Sequence, residues 1–207
     1  MPPIYSRIEF PVALDALAPA LDEVERDARR LVDGAERAAF LWRPRPEAWS
    51  VGECLAHLTA TVDVYVPAIE RGLGRARPLA AGGPVLVSPG ALSRWFIRQM
   101  EPPARRRYRA PRAARPPAAL QPGPAWREFR AANDELRRLL ADCRRVDVNR
   151  VRFPNPFTKG IRFTVGTGLV LMVVHHRRHV WQAFQVAEAA GYPGRIAEAG
   201  RRGASIP

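Results

Sequence analysis

Three of the four histidines in this 207-residue chain fall within five positions, at His175, His176 and His179. They lie in an apolar stretch from Gly168 to Val186 that has the pattern of a long helix. Residues four apart on a helix stand one turn above each other on the same face, so His175 and His179 can direct two imidazoles at one point. This is the spacing that two metal ligands on one helix require.

Two imidazoles do not complete a metal site, because Zn²⁺-like ions in catalytic sites usually take three protein ligands and keep a further position open. His57 is the only histidine left for the third ligand. His176 keeps an alternative open, because on a helical wheel it points more directly at the apolar stripe than its neighbours do. His176 and His179, at i and i+3, could also share a metal ion. Spacing alone does not decide between the two sets.

Three neutral imidazoles around a divalent ion leave room for a water molecule, whose pKa the metal lowers toward neutrality, or for a thiolate or carbonyl oxygen. We therefore expect a divalent metal as cofactor, with zinc, nickel and iron all open. The competing interpretation is that the histidines are polar residues of a helical core. Glu53, one turn before His57, could act as a base, but a capping role accounts for it fully, and no catalytic residue is assigned.

Four segments with helical periodicity could position these histidines. Ser50 and Glu53 form the capping-box signature of a helix start just before the helix that carries His57. A proline at the first turn, Pro124, marks the start of another. The predicted helices run from Leu14 to about Gly34, from Ser50 to about Arg71, from Pro124 to about Cys143, and from Thr164 to Gly191. No strand and no internal repeat is predicted.

The connection from about residue 72 to 122 is rich in glycine, proline and arginine. It contains one short periodic segment, from Leu92 to Met100, and then a proline-broken stretch that is densest in arginine at residues 104–115. A connection this long is unusual inside a compact domain. We therefore predict an all-α protein: a four-helix bundle with a long crossover connection that carries a short extra helix and a Pro/Arg-rich loop. One domain is expected over residues 1–207, with a frayed tail at about 195–207.

The net charge of +13 suggests nucleic-acid binding, since many phosphate contacts need many cations. However, only Lys159 among the 33 basic residues is lysine, and abundant arginine with alanine, glycine and proline is equally typical of GC-rich coding. The alternative function is thus a non-catalytic basic helical module that binds nucleic acid or an acidic partner through the segment 104–115. Steep salt dependence and indifference to chelators would favour it.

No secretory signal is visible at the N-terminus, and the longest apolar run, from Phe163 to Val174, is shorter than a membrane span of roughly 18 residues. We expect a cytoplasmic protein without a membrane partner. The two cysteines, Cys54 and Cys143, lie in predicted amphipathic helices, where a buried thiol behaves as a small apolar group.

Two segments of the chain resemble a known family. Trp49-Ser-Val-Gly-Glu-Cys-Leu-Ala-His57, followed much later by His175-His-Arg-Arg-His179-Val-Trp-Gln182, is similar to the DinB/YfiT-like superfamily of four-helix-bundle metalloenzymes. In that family a Trp-Ser-x-x-Glu-x-x-x-His segment opens the second helix, and a His-x-x-x-His segment on a later helix completes a three-histidine site. The resemblance implies that His57, His175 and His179 are the ligands, and that His176 stands where other members often carry an acidic residue.

The resemblance also implies an activity, because relatives include thiol-dependent S-transferases and a thiol-dependent isomerase. We expect a metal-dependent transferase or hydrolase acting on a small substrate. The arginine-rich loop favours an anionic one, such as a low-molecular-weight thiol that bears carboxylates. Nucleic acid is not the expected partner, and a homodimer is left open as the assembly.

Overall fold

Four long helices form the body of the protein, which a computed structural model describes for residues 1–79, 83–103 and 109–196. Helices α1 and α3 both pack against α5 and α6, so α1 and α3 lie at opposite corners of the bundle. The predicted four-helix bundle is confirmed. The helices are α1 (Leu17–Val32), α2 (Arg37–Leu41), α3 (Val51–Leu73), α4 (Ala91–Met100), α5 (Pro122–Asp142) and α6 (Val165–Ala187).

Side-chain caps fix the start of the two helices that carry the histidines. The Ser50 hydroxyl accepts a hydrogen bond from the Glu53 backbone N–H at 3.2 Å, and the Glu53 carboxylate accepts one from the Ser50 N–H at 2.9 Å. This reciprocal pair satisfies two N–H groups that the first turn of α3 would otherwise leave without partners. The Thr164 hydroxyl caps α6 in the same way, by accepting from the Thr167 N–H at 3.2 Å. Both helices therefore begin within a residue of where the sequence predicts.

Two pairs of short strands correct the prediction that the chain contains none. Strands β1 (Val12–Ala13) and β2 (Leu86–Val87) pair in antiparallel register. Strands β3 (Arg152–Pro154) and β4 (Arg162–Thr164) form a hairpin that leads directly into α6. Strands of two or three residues are too short to show alternation of apolar and polar side chains, and Pro154 argues against a strand. The sequence pattern therefore gives no indication of these strands.

The segment between α3 and α5 agrees in part with the predicted connection. Helix α4 lies where the short extra helix is expected and packs against α6. Further on, a single 3₁₀ turn at Arg112–Ala114 packs against α3, and Ala114 is completely buried. Residues 80–82 and 104–108 of the predicted loop, and 197–207 of the predicted tail, lie outside the described residues.

The apolar core is divided into two clusters along the bundle axis. In α6 the first apolar cluster ends at Val174 and the second begins at Val180, and the three neighbouring histidines lie between them. In α3 the second cluster ends at Leu58 and the first begins at Val62. His57 and Thr61 therefore fall at the same level, together with the buried Asn133 of α5. We call these buried polar residues the polar layer: His57, Thr61, Asn133, His176 and His179.

Glycine allows the β3–β4 hairpin to pack directly on α6. A Cβ at Gly168 would lie 2.7 and 2.8 Å from ring atoms of Phe153, which is completely buried. We expect Gly168→Ala to destabilise the protein by about 1–3 kcal/mol, because overpacking outweighs the gain of roughly 1 kcal/mol in helix propensity. Gly74→Ala is the matched control, since its Cβ would meet only the Glu70 carbonyl at 3.6 Å. Urea unfolding measures both; equal stability of the two variants would contradict the close approach.

Both cysteines are buried free thiols, as expected. Among the helices of the described residues, none is both long enough and apolar enough to cross a membrane.

Candidate metal centre

Three histidines converge between α3 and α6 at the level of the polar layer. Each of His57, His175 and His179 offers one ring nitrogen, and these three nitrogens all lie within 4.8 Å of one another. The Nε2 atoms of His57 and His175 are 3.0 Å apart. The ring centroids of His179 lie 4.5 Å from those of both His57 and His175. The structure thus brings together the histidine of α3 and the i, i+4 pair of α6.

The spacing of these nitrogens suits a single divalent ion. Two nitrogens on one tetrahedral zinc stand about 3.3 Å apart, given Zn–N bonds of about 2.0–2.1 Å. The 3.0 Å between the His57 and His175 nitrogens is close to that separation. In addition, the Nδ1 atom of His179 is buried and has no hydrogen-bond partner among the described residues. A buried imidazole nitrogen without a hydrogen-bond partner lowers the stability of a core. Next to two other converging histidines, such a nitrogen could instead bind a metal ion.

The orientation of His57 is fixed by a backbone carbonyl. Its Nδ1–H donates to the Ala114 oxygen at 2.5 Å, which leaves the Nε2 lone pair directed at the other two histidines. That carbonyl comes from the 3₁₀ turn at Arg112–Ala114, which packs against α3. The described part of the Pro/Arg-rich loop is therefore packed beside the site.

Trp49 packs against two of the three histidines. Its indole lies 4.7 Å from the His57 ring and 5.6 Å from the His179 ring, measured between centroids. The residue precedes the capping Ser50, so the start of α3 also sets the position of the indole.

His176 occupies a different environment from its neighbours. Its Nδ1–H donates to the Met172 carbonyl one turn back at 2.7 Å, and its ring lies 5.9 Å from Phe129 of α5. The side chain is completely buried, and its Nε2 has no hydrogen-bond partner within the described part of the chain. His176 is not part of the converging group, so the geometry favours His175 over the alternative that spacing left open.

The surroundings of the three histidines hold them in the neutral form, which is the form that binds metals. Burial lowers the pKa of His57, and the hydrogen bond to Ala114 opposes only part of this effect. The pKa of His175 and that of His179 lie well below the usual value, because burial is reinforced by the positive charges of neighbouring histidines and of Arg178. For His179, an interaction with the Gln182 side chain opposes part of this lowering.

His175 is the least buried of the three converging histidines: it is partly exposed, whereas His57 and His179 are 3% and 8% exposed. Arg178 is buried nearby. Its guanidinium donates to the Gln99 carbonyl of α4, and its charge acts on His175 and His179. The surroundings of the histidines therefore carry a positive charge.

Glu53 interacts with Ser50 and Arg43. Its carboxylate accepts a hydrogen bond from the Ser50 N–H and forms an ion pair with Arg43. Glu53 is thus a capping residue and not a candidate base, which agrees with the capping interpretation of the sequence. No sequence signal marks the Ala114 carbonyl, because a backbone acceptor carries no side-chain signature.

Comparison with known proteins agrees with the observed fold. YfiT from Bacillus subtilis, described as a probable metal-dependent hydrolase with an unusual four-helix bundle topology, has a similar structure. The TM-score is 0.54 at 15% sequence identity, over 88% of this chain and 91% of YfiT. No curated protein matches the chain by sequence. The sequence model of the DinB superfamily matches residues 20–183, which include all three converging histidines, and the chain belongs to the DinB superfamily.

Proposed function

We propose that the protein is a metal-dependent enzyme in which His57, His175 and His179 hold one divalent ion, and that it hydrolyses a small anionic substrate. The observation that carries this proposal is the convergence of three imidazoles whose surroundings hold them neutral. A divalent ion bound there supplies Lewis acidity and lowers the pKa of a bound water or thiol. Zinc, nickel and iron all accept imidazole ligands.

The composition of the ligand set supports hydrolytic chemistry. All three ligands are neutral, so the two positive charges of a bound ion are not offset by a ligand carboxylate. A divalent ion held by these three residues would keep its charge available to attract an anionic ligand. The resemblance of the fold to YfiT, itself described as a probable metal-dependent hydrolase, points in the same direction.

The chain's own residues would perform three tasks around the ion. The Ala114 carbonyl holds the His57 ring by its Nδ1–H, so that the lone pair of Nε2 stays directed at the ion. Trp49 packs against the His57 and His179 rings and would help to hold them in place. Arg178 contributes a fixed positive charge near His175 and His179, which supports an anionic substrate.

Thiol transfer is the second candidate, and the same positive field supports it. A thiol that enters at His175 would be stabilised as the thiolate by the divalent ion and by Arg178. An anionic thiol with carboxylates would gain most from this field. This candidate shares the ligand set with hydrolysis and differs in what occupies the open position.

Activity measurements on matched variants would test the proposal. Metal-loaded protein should hydrolyse at least one member of a panel of chromogenic esters and amides that carry a carboxylate. His179→Ala should lower kcat/KM by at least about a hundredfold, as should a chelator, because the ion is lost. Arg127→Gln, an exposed substitution on α5, should leave kcat/KM unchanged. Equal rates for wild type and His179→Ala would show that any turnover arises elsewhere.

A spectroscopic arm separates the two candidates. Mercaptosuccinate, a thiol with two carboxylates, should change the visible and near-ultraviolet absorption of the Co²⁺-substituted protein if thiol transfer is correct. The neutral thiol 2-mercaptoethanol should act only at much higher concentration. A spectral response without hydrolysis of any ester or amide would contradict hydrolysis as the function and support thiol transfer. The absence of both responses would overturn the proposed function.

A further inference from the structure

A second polar concavity lies at the far end of α3 from the histidines. It is an open pocket of about 300 Å³, formed by the last turn of α3 and the residues after it, by β3 with the residues before it, and by β4. Gly72 lines it, fifteen residues after His57, which corresponds to roughly 22 Å of helix. The pocket is therefore separate from the candidate metal centre. Five arginines line it: Arg75, Arg77, Arg150, Arg152 and Arg162.

Closely packed backbone gives this pocket its shape. A Cβ added at Gly72 would lie 3.3 Å from the Arg152 carbonyl oxygen and 3.3 Å from the Phe153 Cβ, so β3 passes directly over the end of α3. Phe153 itself is completely buried and anchors the strand. Antiparallel pairing places Arg162 opposite Pro154, and the Arg162 guanidinium donates to the Arg152 carbonyl at 3.3 Å. The arginines thus project from three packed elements toward one space.

Most of the positive charge around the pocket is not neutralised by the protein. Arg150 forms an ion pair with Asp147 at 3.4 Å. Over residues 1–79, 83–103 and 109–196, no ion pair is present for the other four arginines of the pocket. The carboxyl end of α3 adds only about half a negative charge. The pocket consequently holds several cations with few counter-charges.

Arginines on the surface of α5 form ion pairs that connect helices, in contrast to those of the pocket. Arg137 contacts both Asp22 and Glu25 of α1 at 2.7 Å. Arg138, on the same helix, bonds to Glu70 of α3 at 2.5 Å and is also paired with acidic residues of its own helix. These arginines join helices through carboxylates, and the pocket arginines do not.

We propose that this pocket binds a small anion that carries at least two phosphate groups, of the pyrophosphate or nucleoside diphosphate class. Guanidinium groups present paired N–H donors that match phosphate oxygens bidentately. Two phosphate groups carry roughly three to four negative charges, which a set of five arginines with one carboxylate partner can balance. A volume of about 300 Å³ suits a small ligand. The five arginines line one local space, whereas the backbone of a nucleic acid needs an extended basic surface.

Calorimetric titration of the metal-loaded, full-length protein with pyrophosphate tests this proposal. Arg75→Gln combined with Arg77→Gln removes two exposed arginines of the pocket that hold no ion pair, so the fold should be retained, as circular dichroism can verify. We expect pyrophosphate to bind this double variant at least about tenfold more weakly than wild type, because charge-assisted hydrogen bonds are lost. Arg152→Gln should weaken binding in the same direction.

The matched control removes the same charge elsewhere. Arg26→Gln combined with Arg127→Gln takes two exposed arginines from α1 and α5, and its affinity for pyrophosphate should stay within about twofold of wild type. Any removal of metal by pyrophosphate is the same in both double variants, so their difference reports the pocket alone. The result is independent of whether the histidine site is active.

Three results would overturn the proposal. Equal affinities of the pocket and control variants would show that binding follows net charge only. Orthophosphate binding as tightly as pyrophosphate would remove the requirement for a second phosphate group. Tighter, pocket-dependent binding of a single-stranded oligonucleotide would identify the pocket as part of a nucleic-acid surface.

Discussion

His179→Ala should lower the affinity of the protein for a divalent metal by at least about a hundredfold, which exceeds the typical 10–100-fold effect of losing a residue that only supports a ligand. His57→Ala and His175→Ala should do the same, because each removes one of three converging nitrogens. Two remaining imidazoles cannot hold an ion firmly in a site without a carboxylate. Metal analysis of the purified variants, followed by competition with a chromophoric chelator, measures the effect.

His176→Leu is the matched control for this series. It removes a buried histidine adjacent in sequence to a proposed ligand, but its ring faces Met172 and Phe129 and stands outside the converging group. Metal content should remain at one ion per chain. Retention of metal in the three alanine variants together with its loss in His176→Leu would transfer the ligand role to His176.

Acidification should destabilise the metal-free protein between about pH 6.5 and pH 4. Burial lowers the pKa of His176 from 6.5 to about 4, and the same cause lowers those of His57, His175 and His179. Below pH 6.5 the unfolded chain takes up protons on these histidines while the folded chain does not, so the free energy of unfolding falls with pH. Above pH 6.5 both states carry neutral imidazoles, and these residues contribute no pH dependence.

The His176→Leu variant isolates one part of this effect. Between pH 7.5 and pH 4.5 the wild-type protein should lose roughly 2–3 kcal/mol more stability than the variant, since His176 alone accounts for that difference. Urea unfolding at several pH values in the presence of a chelator provides the measurement. Carboxylates also titrate in this range, but they do so in both proteins. Parallel pH profiles would show that His176 is protonated in the folded state or is open to water.

Helical periodicity and capping chemistry account for how much of this fold could be predicted. The apolar stripe of α1 recurs with steps of three and four, and its residues Leu17, Leu21, Val24, Ala28 and Leu31 are the ones that are buried. The Ser50 and Glu53 pair forms the capping box that its spacing indicates. The β3–β4 hairpin could not be predicted, because its order depends on contacts of Phe153 with Gly72 and Gly168, which are distant in sequence.

The candidate site was predictable from its side chains but not from its backbone. Histidine spacing indicated a pair on α6, and the family resemblance selected His175 over His176, as the geometry does. The assignment of the three histidines as ligands stays a prediction until metal binding is measured, as does the expectation of one domain over residues 1–207. The contact of Ala114 with His57 joins positions 57 residues apart through a backbone carbonyl, which leaves no pattern in the sequence.

The division of the core by the polar layer has a mechanical consequence. Between the two apolar clusters, α3 and α6 contact each other through imidazoles and not through apolar side chains. A cation bound by both helices would cross-link them at the polar layer. Without the cation, the two apolar clusters would be connected by a less stable segment. In the metal-free protein, amide protons around Thr61 and His176 should exchange fastest among the buried helical positions. Their exchange rates would therefore report whether the cation is bound.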